Sequence, residues 1–581
     1  MRIERHQVEE AALTAAREDF INRIGSTVNS MSKAGRMGTF DWEMIADEFR
    51  DYLGALSVQH PDLDTAEARA ALGDASEAAA GMVAFAAYFP LCSFHVFLNY
   101  VNFGMSYDQD MDGERETVSV FDWRDAFCLT VLTGTTQRHG EAFRFALETA
   151  GIGQAGQPAA ELAAGLMAYV LGITDDDEAP WPLPPEDTLA ALDAALTRVE
   201  RPEHPDTLAL RGLRALAAGD REEFDYALTA LLRHTAEVGG SFPRDLLPLT
   251  PLALAALAHR DQGWEPPVES GYLPRALVTG FESAGARVGA FGRDRREEAV
   301  AELAAGPVAF ERPGDLNMYF SMDAVEIFEE IVGDALTPGK SGKPGRGRVV
   351  DLSRAFKELI TLVTYRARES AEGSEGQLDT VRRASRFGAA LFRTVLAEPG
   401  TEVEVELDGT TLVFPADDGR HAGPGLWHAA VNAALVTGVR EDLAPLVLSG
   451  AARLRTDRSG AAFTSYRRAL LDYLRAEDAE PAAERAVRDA EKAEGQGFLP
   501  PPAVLLSQLV EGDEESFNLA LLDALETHRD HYAVADRGRG PDALVNLDIL
   551  ALTCHARRRG WDTRVVTPYL PPRILETARP R

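Results

Sequence analysis

The chain has 581 residues, a formal net charge of −33 and 45% hydrophobic residues, which is enough for two or more domains with full cores. Three scattered cysteines argue against a disulfide framework, and the acidic balance disfavours a nucleic-acid ligand because phosphate backbones repel negative charge. No apolar run reaches the length of a membrane span, and the charged N-terminus does not resemble a signal peptide. We therefore expect a cytoplasmic protein without membrane contact.

An early helical stretch carries four acidic residues on one side. We call this set, Glu43, Asp47, Glu48 and Asp51, the acidic face. Negative charge on one side of a helix serves solubility in many proteins, and it also steers a basic protein partner towards the surface. The sequence therefore offers the acidic face as a candidate partner-binding surface.

One stretch in each half departs from helical spacing. In the second half, residues 402–407 alternate between polar and apolar side chains, Asp408-Gly409 follows, and residues 410–414 return. Asp-Gly between two such runs predicts a β-hairpin. Residues 94–107 stand at the equivalent place in the first half and are also predicted to be extended. No other sheet is predicted, so the fold class is mainly α.

The rest of the chain reads as helices joined by short turns. Residues 186–199 and 210–216 place leucines at helical spacing, and Gly219 ends the second run. Asp220 then precedes Glu223 by three residues, as in a helix capping box. Helices of this length with turns of two to six residues predict antiparallel helical hairpins.

A second acidic cluster lies in a loop between helices. Its members are Asp175, Asp176, Asp177 and Glu178. Consecutive carboxylates lack the alternating spacing of a calcium-binding loop, so we predict no metal site there. A solvated turn explains the cluster, and it is our second candidate surface for a partner.

Three landmarks occur twice in the same order, which predicts two copies of one domain. They are Trp123 with Thr133-Gly134 and Trp427 with Thr437-Gly438; Gly219-Asp220 with Phe224 and Gly512-Asp513 with Phe517; Gly263-Trp264 with Tyr272-Leu273-Pro274 and Gly560-Trp561 with Tyr569-Leu570-Pro571. We predict a first helical copy over 1–283, a connecting region over 284–348 with one helix and a Gly/Pro/Lys linker, and a second copy over 349–581.

No catalytic motif stands out. Gly339-Lys340-Ser341 lacks the glycine that a phosphate-binding loop requires at position 334, and no zinc-binding or nucleophile-elbow motif occurs. Cys554 and His555 are neighbours on a helix and cannot face one another. His139 and Glu141 flank Gly140, and we interpret them as a polar helix cap. We therefore predict no catalytic residue, no cofactor and no metal.

Part of the first half resembles a known family. The apolar run 246–258, the following Gly263-Trp264 and Tyr272-Leu273-Pro274, and the stretch 100–107 are similar to the immunity protein 49 family. The resemblance covers about residues 1–280, and the second copy joins it only through its similarity to the first. It implies a long helical protein of actinobacterial type, encoded beside a polymorphic toxin that it neutralises. The resemblance supplies no catalytic residues.

Three functions remain in view. The first is an immunity protein that binds a basic toxin, such as a nuclease, and neutralises it by occlusion. The second is a helical interaction scaffold or regulator without a toxin partner. The third is an enzyme whose site is assembled from residues distant in sequence, which a convergent pocket of His, Asp and Arg within one half would favour. The sequence determines neither the toxin nor the oligomeric state.

Overall fold

A computed structural model describes residues 1–110, 112–150, 156–173, 182–281, 285–313, 324–337, 346–493 and 498–580. The chain divides into two compact units, Met1–Ser283 and Ala284–Arg581. The described residues form twenty-four α-helices and eight strands of two to six residues. The prediction of a mainly α fold is confirmed.

The first unit contains twelve of the described α-helices. They are α1 (Glu10–Arg17), α2 (Phe20–Ala34), α3 (Thr39–Gln59), α4 (Ala66–Tyr88), α5 (Val120–Thr133), α6 (Thr136–Ala150), α7 (Pro158–Leu166), α8 (Pro185–Arg198), α9 (Pro205–Ala218), α10 (Arg221–Val238), α11 (Leu249–Gln262) and α12 (Arg275–Thr279). Its strands are β1 (Arg2–Ile3), β2 (Phe94–Leu98), β3 (Phe103–Tyr107) and β4 (Glu269–Ser270). A π-helical turn, Met167–Leu171, continues α7.

The second unit also contains twelve. They are α13 (Glu297–Ala305), α14 (Ala324–Leu336), α15 (Val349–Arg366), α16 (Glu375–Leu396), α17 (Pro424–Thr437), α18 (Arg440–Leu454), α19 (Ala461–Leu474), α20 (Glu480–Ala493), α21 (Ala503–Glu511), α22 (Glu514–Tyr532), α23 (Leu547–Arg558) and α24 (Pro572–Glu576). Its strands are β5 (Val308–Ala309), β6 (Glu402–Leu407), β7 (Thr410–Pro415) and β8 (Val565–Val566).

The two units repeat one order of elements. Helices α3 to α12 of the first unit match α15 to α24 of the second one by one, with a β-hairpin after the second helix of each series. In both units that second helix, α4 or α16, packs against the helix before it and the two helices after the hairpin. Two tandem copies with one short hairpin each are therefore confirmed.

The hairpins differ in how their turns are held. Strands β6 and β7 are antiparallel around Asp408-Gly409, and both turn residues have positive φ (48° and 77°), as a two-residue turn requires. Strands β2 and β3 pair from Phe94 with Tyr107 to Leu98 with Phe103 and enclose a four-residue turn. There the Asp74 carboxylate of α4 accepts hydrogen bonds of 2.8 Å from two backbone N–H groups of the turn.

Each unit also holds a two-residue parallel strand pair that was not predicted from the sequence pattern. Strand β1 pairs with β4, and β5 pairs with β8. The equivalent of β1 is therefore β5, which lies before residue 349, within the predicted connecting region. We propose that the second copy begins near Val308, which would move its start from the predicted residue 349.

The repeated landmarks are packing contacts. The buried indole of Trp123 donates a hydrogen bond of 3.0 Å to the Phe143 carbonyl of α6, and the buried indole of Trp427 donates one of 2.8 Å to the Leu446 carbonyl of α18. A tryptophan in a core needs such an acceptor for its N–H group. Both copies meet this need with a carbonyl of the next helix.

The Gly-Trp landmarks end α11 and α23 in the same way. Gly263 ends α11 with φ +66°, and Gly560 follows α23 with φ +94°, a region that favours glycine. The rings that follow pack on the phenylalanines of the second landmark. Ring centroids lie 5.6 Å apart for Phe224 and Trp264, and 5.5 Å apart for Phe517 and Trp561.

Candidate interaction surfaces

The acidic face lies on α3 as predicted, but most of its charge is neutralised within the first unit. Asp51 Oδ2 lies 2.9 Å from Arg244 Nη1, and Asp47 lies 3.3 Å from the same nitrogen and 3.0 Å from Arg50 Nη1. Glu48 Oε2 lies 3.3 Å from Arg23 Nε. Paired carboxylates offer little net charge to a partner.

Glu43 is the member of the acidic face without an ion pair among the residues that the structure describes. Burial raises its pKa, and the nearby Asp122 and Asp47 raise it further, while Arg244 and Arg50 lower it. Glu43 at the start of α3 and Asp122 at the start of α5 therefore lie close together and form one negative region.

Large apolar side chains lie beside this negative region. Phe40 is 66% exposed, Phe121 54% and Met44 39%, which is unusual for aromatic and methionine side chains. The two segments that carry them are joined because the backbone N–H and hydroxyl of Thr39 both donate to Glu116, each at 2.7 Å. We call Phe40, Glu43, Met44, Phe121 and Asp122 the anchor patch.

The apolar part of the anchor patch was not predicted from the sequence. Phe40 and Met44 are four residues apart on α3, outside the buried stripe of Trp42, Ile45 and Phe49. A helical wheel that separates the buried stripe from the remaining positions shows this pair, because charged residues are expected on the exposed side. Phe121 gives no comparable signal.

A pocket of about 290 Å³ in the first unit brings Arg, Asp and His side chains together. Arg124 lies 2.8 Å from Asp206 and 2.9 Å from Asp125, and Asp125 also lies 3.2 Å from Arg50. Burial lowers the pKa of Arg124, but Asp125 and Asp206 raise it to a net increase. The pocket has the convergent His, Asp and Arg side chains that the enzyme hypothesis required. Its arginine and aspartate side chains, however, form ion pairs with one another.

Nucleophile and acid–base candidates near these helices have structural partners. Burial raises the pKa of the Cys128 thiol to about 12, so it stays protonated at neutral pH. His139 lies within α6, where its Nε2 is 3.2 Å from Glu77 Oε1, while Glu141 contacts Tyr88. The interpretation of His139 as a helix cap was wrong, because α6 begins at Thr136 and the ring crosses to α4.

The second predicted surface, the acidic loop of Asp175, Asp176, Asp177 and Glu178, lies outside the described residues. Within the described part of the chain, no group of three His, Cys, Asp or Glu side chains could hold a metal ion. Across the same residues, no helix is both long and apolar enough to cross a membrane.

One known protein family matches both halves of the chain. The family model described as Immunity protein 49 matches residues 61–277 and again 366–574. The chain belongs to the Immunity protein 49 family. No curated protein and no solved structure matched it.

The double match extends the resemblance seen in the sequence. That resemblance rested on the first 280 residues, whereas the Immunity protein 49 model matches the second copy directly. Each matched segment covers the helices from α4 or α16 to the Tyr-Leu-Pro landmark. Both copies are therefore Immunity protein 49 domains.

The two units, each of which holds one Immunity protein 49 copy, differ in charge. Residues 1–283 hold 45 acidic and 21 basic residues, a formal charge of −24, whereas residues 284–581 hold 47 acidic and 38 basic residues, a formal charge of −9. Long-range attraction of a basic protein depends on summed charge of this kind. It is therefore much stronger for the first copy.

One polar contact of the Immunity protein 49 fold changes its chemistry between copies. The position of Arg124 on α5 corresponds to His428 on α17, and His428 Nε2 lies 2.6 Å from Asp548 Oδ1. Burial raises the pKa of Asp548, but His428 and Asn432 lower it by a larger amount, so the net effect is a decrease. A basic side chain paired with an aspartate thus stands at this position in both copies.

Proposed function

We propose that this protein is an immunity protein that binds a cognate protein toxin and neutralises it by occlusion. Membership of the Immunity protein 49 family supports the general role. Within the chain, the anchor patch carries the proposal, because it is an exposed apolar surface bordered by unpaired acidic charge. A binding protein of this kind needs a complementary surface and no chemistry of its own.

The composition of the anchor patch suits a contact surface. Aromatic side chains supply most of the binding energy at protein interfaces when they fill a pocket of the partner. Phe40 and Phe121 are large enough for that role and are already held at the surface by ordered helices. Glu43 and Asp122 at their border would pair with basic groups around such a pocket.

The charge of the first copy points to a basic toxin. A formal charge of −24 over 283 residues attracts a positively charged protein and raises its association rate, with strong dependence on salt. Nucleases carry basic surfaces because they bind phosphate backbones. A nuclease toxin is therefore the partner that this surface fits best.

The test is binding and protection by the full chain. The toxin encoded beside the gene would be expressed in cells with and without this protein, and the affinity of the purified pair would be measured by calorimetry. We expect protection, tight binding, and a loss of affinity of at least tenfold for the Phe40→Ala/Phe121→Ala variant, because each truncated anchor costs about 2 kcal/mol.

The control is Leu448→Ala, which truncates an exposed apolar side chain on α18 of the second copy and should bind like the wild type. Failure of the wild type to bind or protect would end the immunity proposal. Full protection by the Phe40→Ala/Phe121→Ala variant would instead leave the function standing and remove the anchor patch from it.

A further inference from the structure

A cavity of about 580 Å³ opens on the second copy where α15 begins and the chain enters α17. Arg354, Lys357, Arg420 and His421 line it, together with apolar wall residues that include Val350 and Leu426. Four basic side chains in one cavity stand out in a chain with a net charge of −33. We call this cavity the basic pocket.

The basic pocket occupies the position of the anchor patch in the other copy. The residues before α3 and α15, Gly38 and Arg348, and the glycines that end α5 and α17, Gly134 and Gly438, set the equivalence. Phe40 and Met44 then correspond to Val350 and Arg354. One location on the fold therefore presents apolar and acidic groups in the first copy and basic groups in the second.

The cavity exists because two side chains of the first copy are replaced by small ones. Gly425 stands where the first copy has Phe121, and Ser353 stands where it has Glu43. A Cβ added at Gly425 would meet nothing nearer than Arg467 Nη2, at 3.9 Å. The space that an aromatic ring takes up in the first copy is therefore open in the second.

The charge of the basic pocket is available to a ligand. The side chains of Arg354 and Lys357 are exposed and make no ion pair or hydrogen bond with any residue that the structure describes. Arg420 is bound to Asp418, with Nε 2.6 Å from Oδ2, and leaves its other guanidinium nitrogens at the rim. Asp47, the first-copy equivalent of Lys357, is by contrast paired with arginines of its own copy.

We propose that the basic pocket binds an acidic segment of a protein partner, so that the two copies recognise surfaces of opposite charge. The guanidinium of Arg354 and the ammonium of Lys357 match carboxylates. The wall of Val350 and Leu426 accommodates an apolar residue next to the acidic one. This inference goes beyond the toxin contact of the first copy and does not depend on it.

A protein segment fits the pocket better than a nucleic acid does. The second unit carries a formal charge of −9, so an extended polyanion would meet repulsion outside the pocket. Screening confines electrostatic attraction to about 8 Å at physiological salt. A short acidic segment that reaches only the local cluster therefore gains attraction and avoids most of the repulsion.

The experiment measures fluorescence anisotropy of labelled probes with the full chain. The acidic probe is a fluorescein-labelled hexapeptide that alternates glutamate and leucine, and the comparison probes are the same peptide with lysine in place of glutamate and a labelled hexathymidylate. We expect saturable binding of the acidic peptide that weakens with salt, and weaker binding of both comparison probes.

Two variants test the pocket by different means. Arg354→Ser/Lys357→Ser removes the two unpaired charges, and Gly425→Phe places the first copy's ring in the cavity while keeping every charge. Each should weaken binding of the acidic peptide at least tenfold. Arg455→Ser/Arg458→Ser removes two exposed charges of the same unit elsewhere and should change the affinity less than twofold.

Several results would overturn the proposal. They are no saturable binding of the acidic peptide, wild-type affinity in both pocket variants, an equal loss in the Arg455→Ser/Arg458→Ser control, or tighter binding of hexathymidylate than of the peptide. Circular dichroism of each variant verifies that the helices are intact, so a loss of binding reports on the pocket itself.

Discussion

Glu77 of α4 lies against Arg138 of α6 in the first copy, whereas the same two positions of the second copy hold Arg386 and Asp442. The first pair is 2.9 Å apart. In the second copy, burial raises the pKa of Asp442 against a smaller lowering by Arg386, whose own ion pair is with Asp408, 3.5 Å away. The order of the charges is reversed, and both orders place opposite charges on the two helices, so either order satisfies the fold.

Packing contacts, in contrast, keep the same residue types in both copies. The hydroxyls of Ser76 and Thr133 lie 3.0 Å apart, and those of Ser385 and Thr437 lie 3.1 Å apart, so this polar contact between central helices is kept atom for atom. The tryptophan and Gly-Trp contacts are likewise kept in both copies. Packing contacts are therefore common to the two copies, whereas the order of charges on neighbouring helices can reverse.

The exposed differences have another cause. Among the described residues, the carboxylates of the anchor patch and the Arg354 and Lys357 side chains of the basic pocket make no ion pair, in contrast to the α4–α6 pair of the first copy. A difference that the fold does not require points to a requirement outside it. The comparison of the two copies therefore separates residues that hold the domain together from residues that face partners.

The largest effect is expected from truncation of the landmark tryptophans. Trp123→Ala removes a fully buried ring and leaves the Phe143 carbonyl without its donor, and Trp427→Ala does the same to Leu446. Each should lower the free energy of unfolding of its own unit by about 3–5 kcal/mol. Hydrogen exchange of the α5–α6 and α17–α18 amides, followed unit by unit, measures both losses.

Phe40→Ala serves as the control for an aromatic truncation at the surface and should leave amide protection unchanged. A loss below 1 kcal/mol in either tryptophan variant, on the scale of a surface substitution, would contradict the equivalence of the two landmarks. It would show that one copy does not depend on this contact.

A smaller effect separates the copies in acid. Burial lowers the pKa of His528 to about 3 and those of His531 and His555 to about 4. All three belong to the second copy, and the equivalent first-copy positions hold the non-titrating residues Thr235, Val238 and Ala258. A lowered pKa means that the folded state keeps the ring neutral. The stability that these neutral rings contribute is therefore complete above about pH 6.5 and is lost as the pH falls towards 4.

His528→Gln measures this contribution. At pH 5 a fully buried neutral histidine costs about 2 kcal/mol of stability relative to pH 7. Urea unfolding at both pH values should show a smaller loss for the variant than for the wild type. Burial raises the pKa of Asp542 and Asp523, which acts in the opposite direction, so the difference between the two proteins is the readout. Equal losses would contradict the prediction.

Much of the fold was predictable because its signals are local. Asp408-Gly409 fixes a hairpin within two residues, and the leucine spacing before Gly219 fixes a helix end. The strand pair of β1 and β4 gave no signal, because two residues are too few to show alternation. Its partners are also distant in sequence, so only the folded chain brings them together.

The candidate surface was harder to predict for the same reason. Glu43 and Asp51 look equivalent on a helical wheel, but Arg244, which neutralises Asp51, stands 193 residues away in the sequence. Sequence spacing places a carboxylate on a face and does not reveal the arginine that reaches it. The exposed Phe40 and Met44 were recognisable only once the buried stripe of α3 was known.

The smallest effect tests the reversed order of charges on helices α4 and α6 directly. Glu77→Arg places a cation next to Arg138 and should lower the free energy of unfolding by about 0.5–1 kcal/mol, a modest value because the Arg138 side chain is 66% exposed. Arg138→Asp alone should also destabilise, since it sets a carboxylate against Glu77. The double variant reproduces the order of charges in the second copy and should recover most of the loss. Urea unfolding of the four proteins gives the coupling energy, and a double variant as unstable as the sum of the single losses would show that the two positions do not interact.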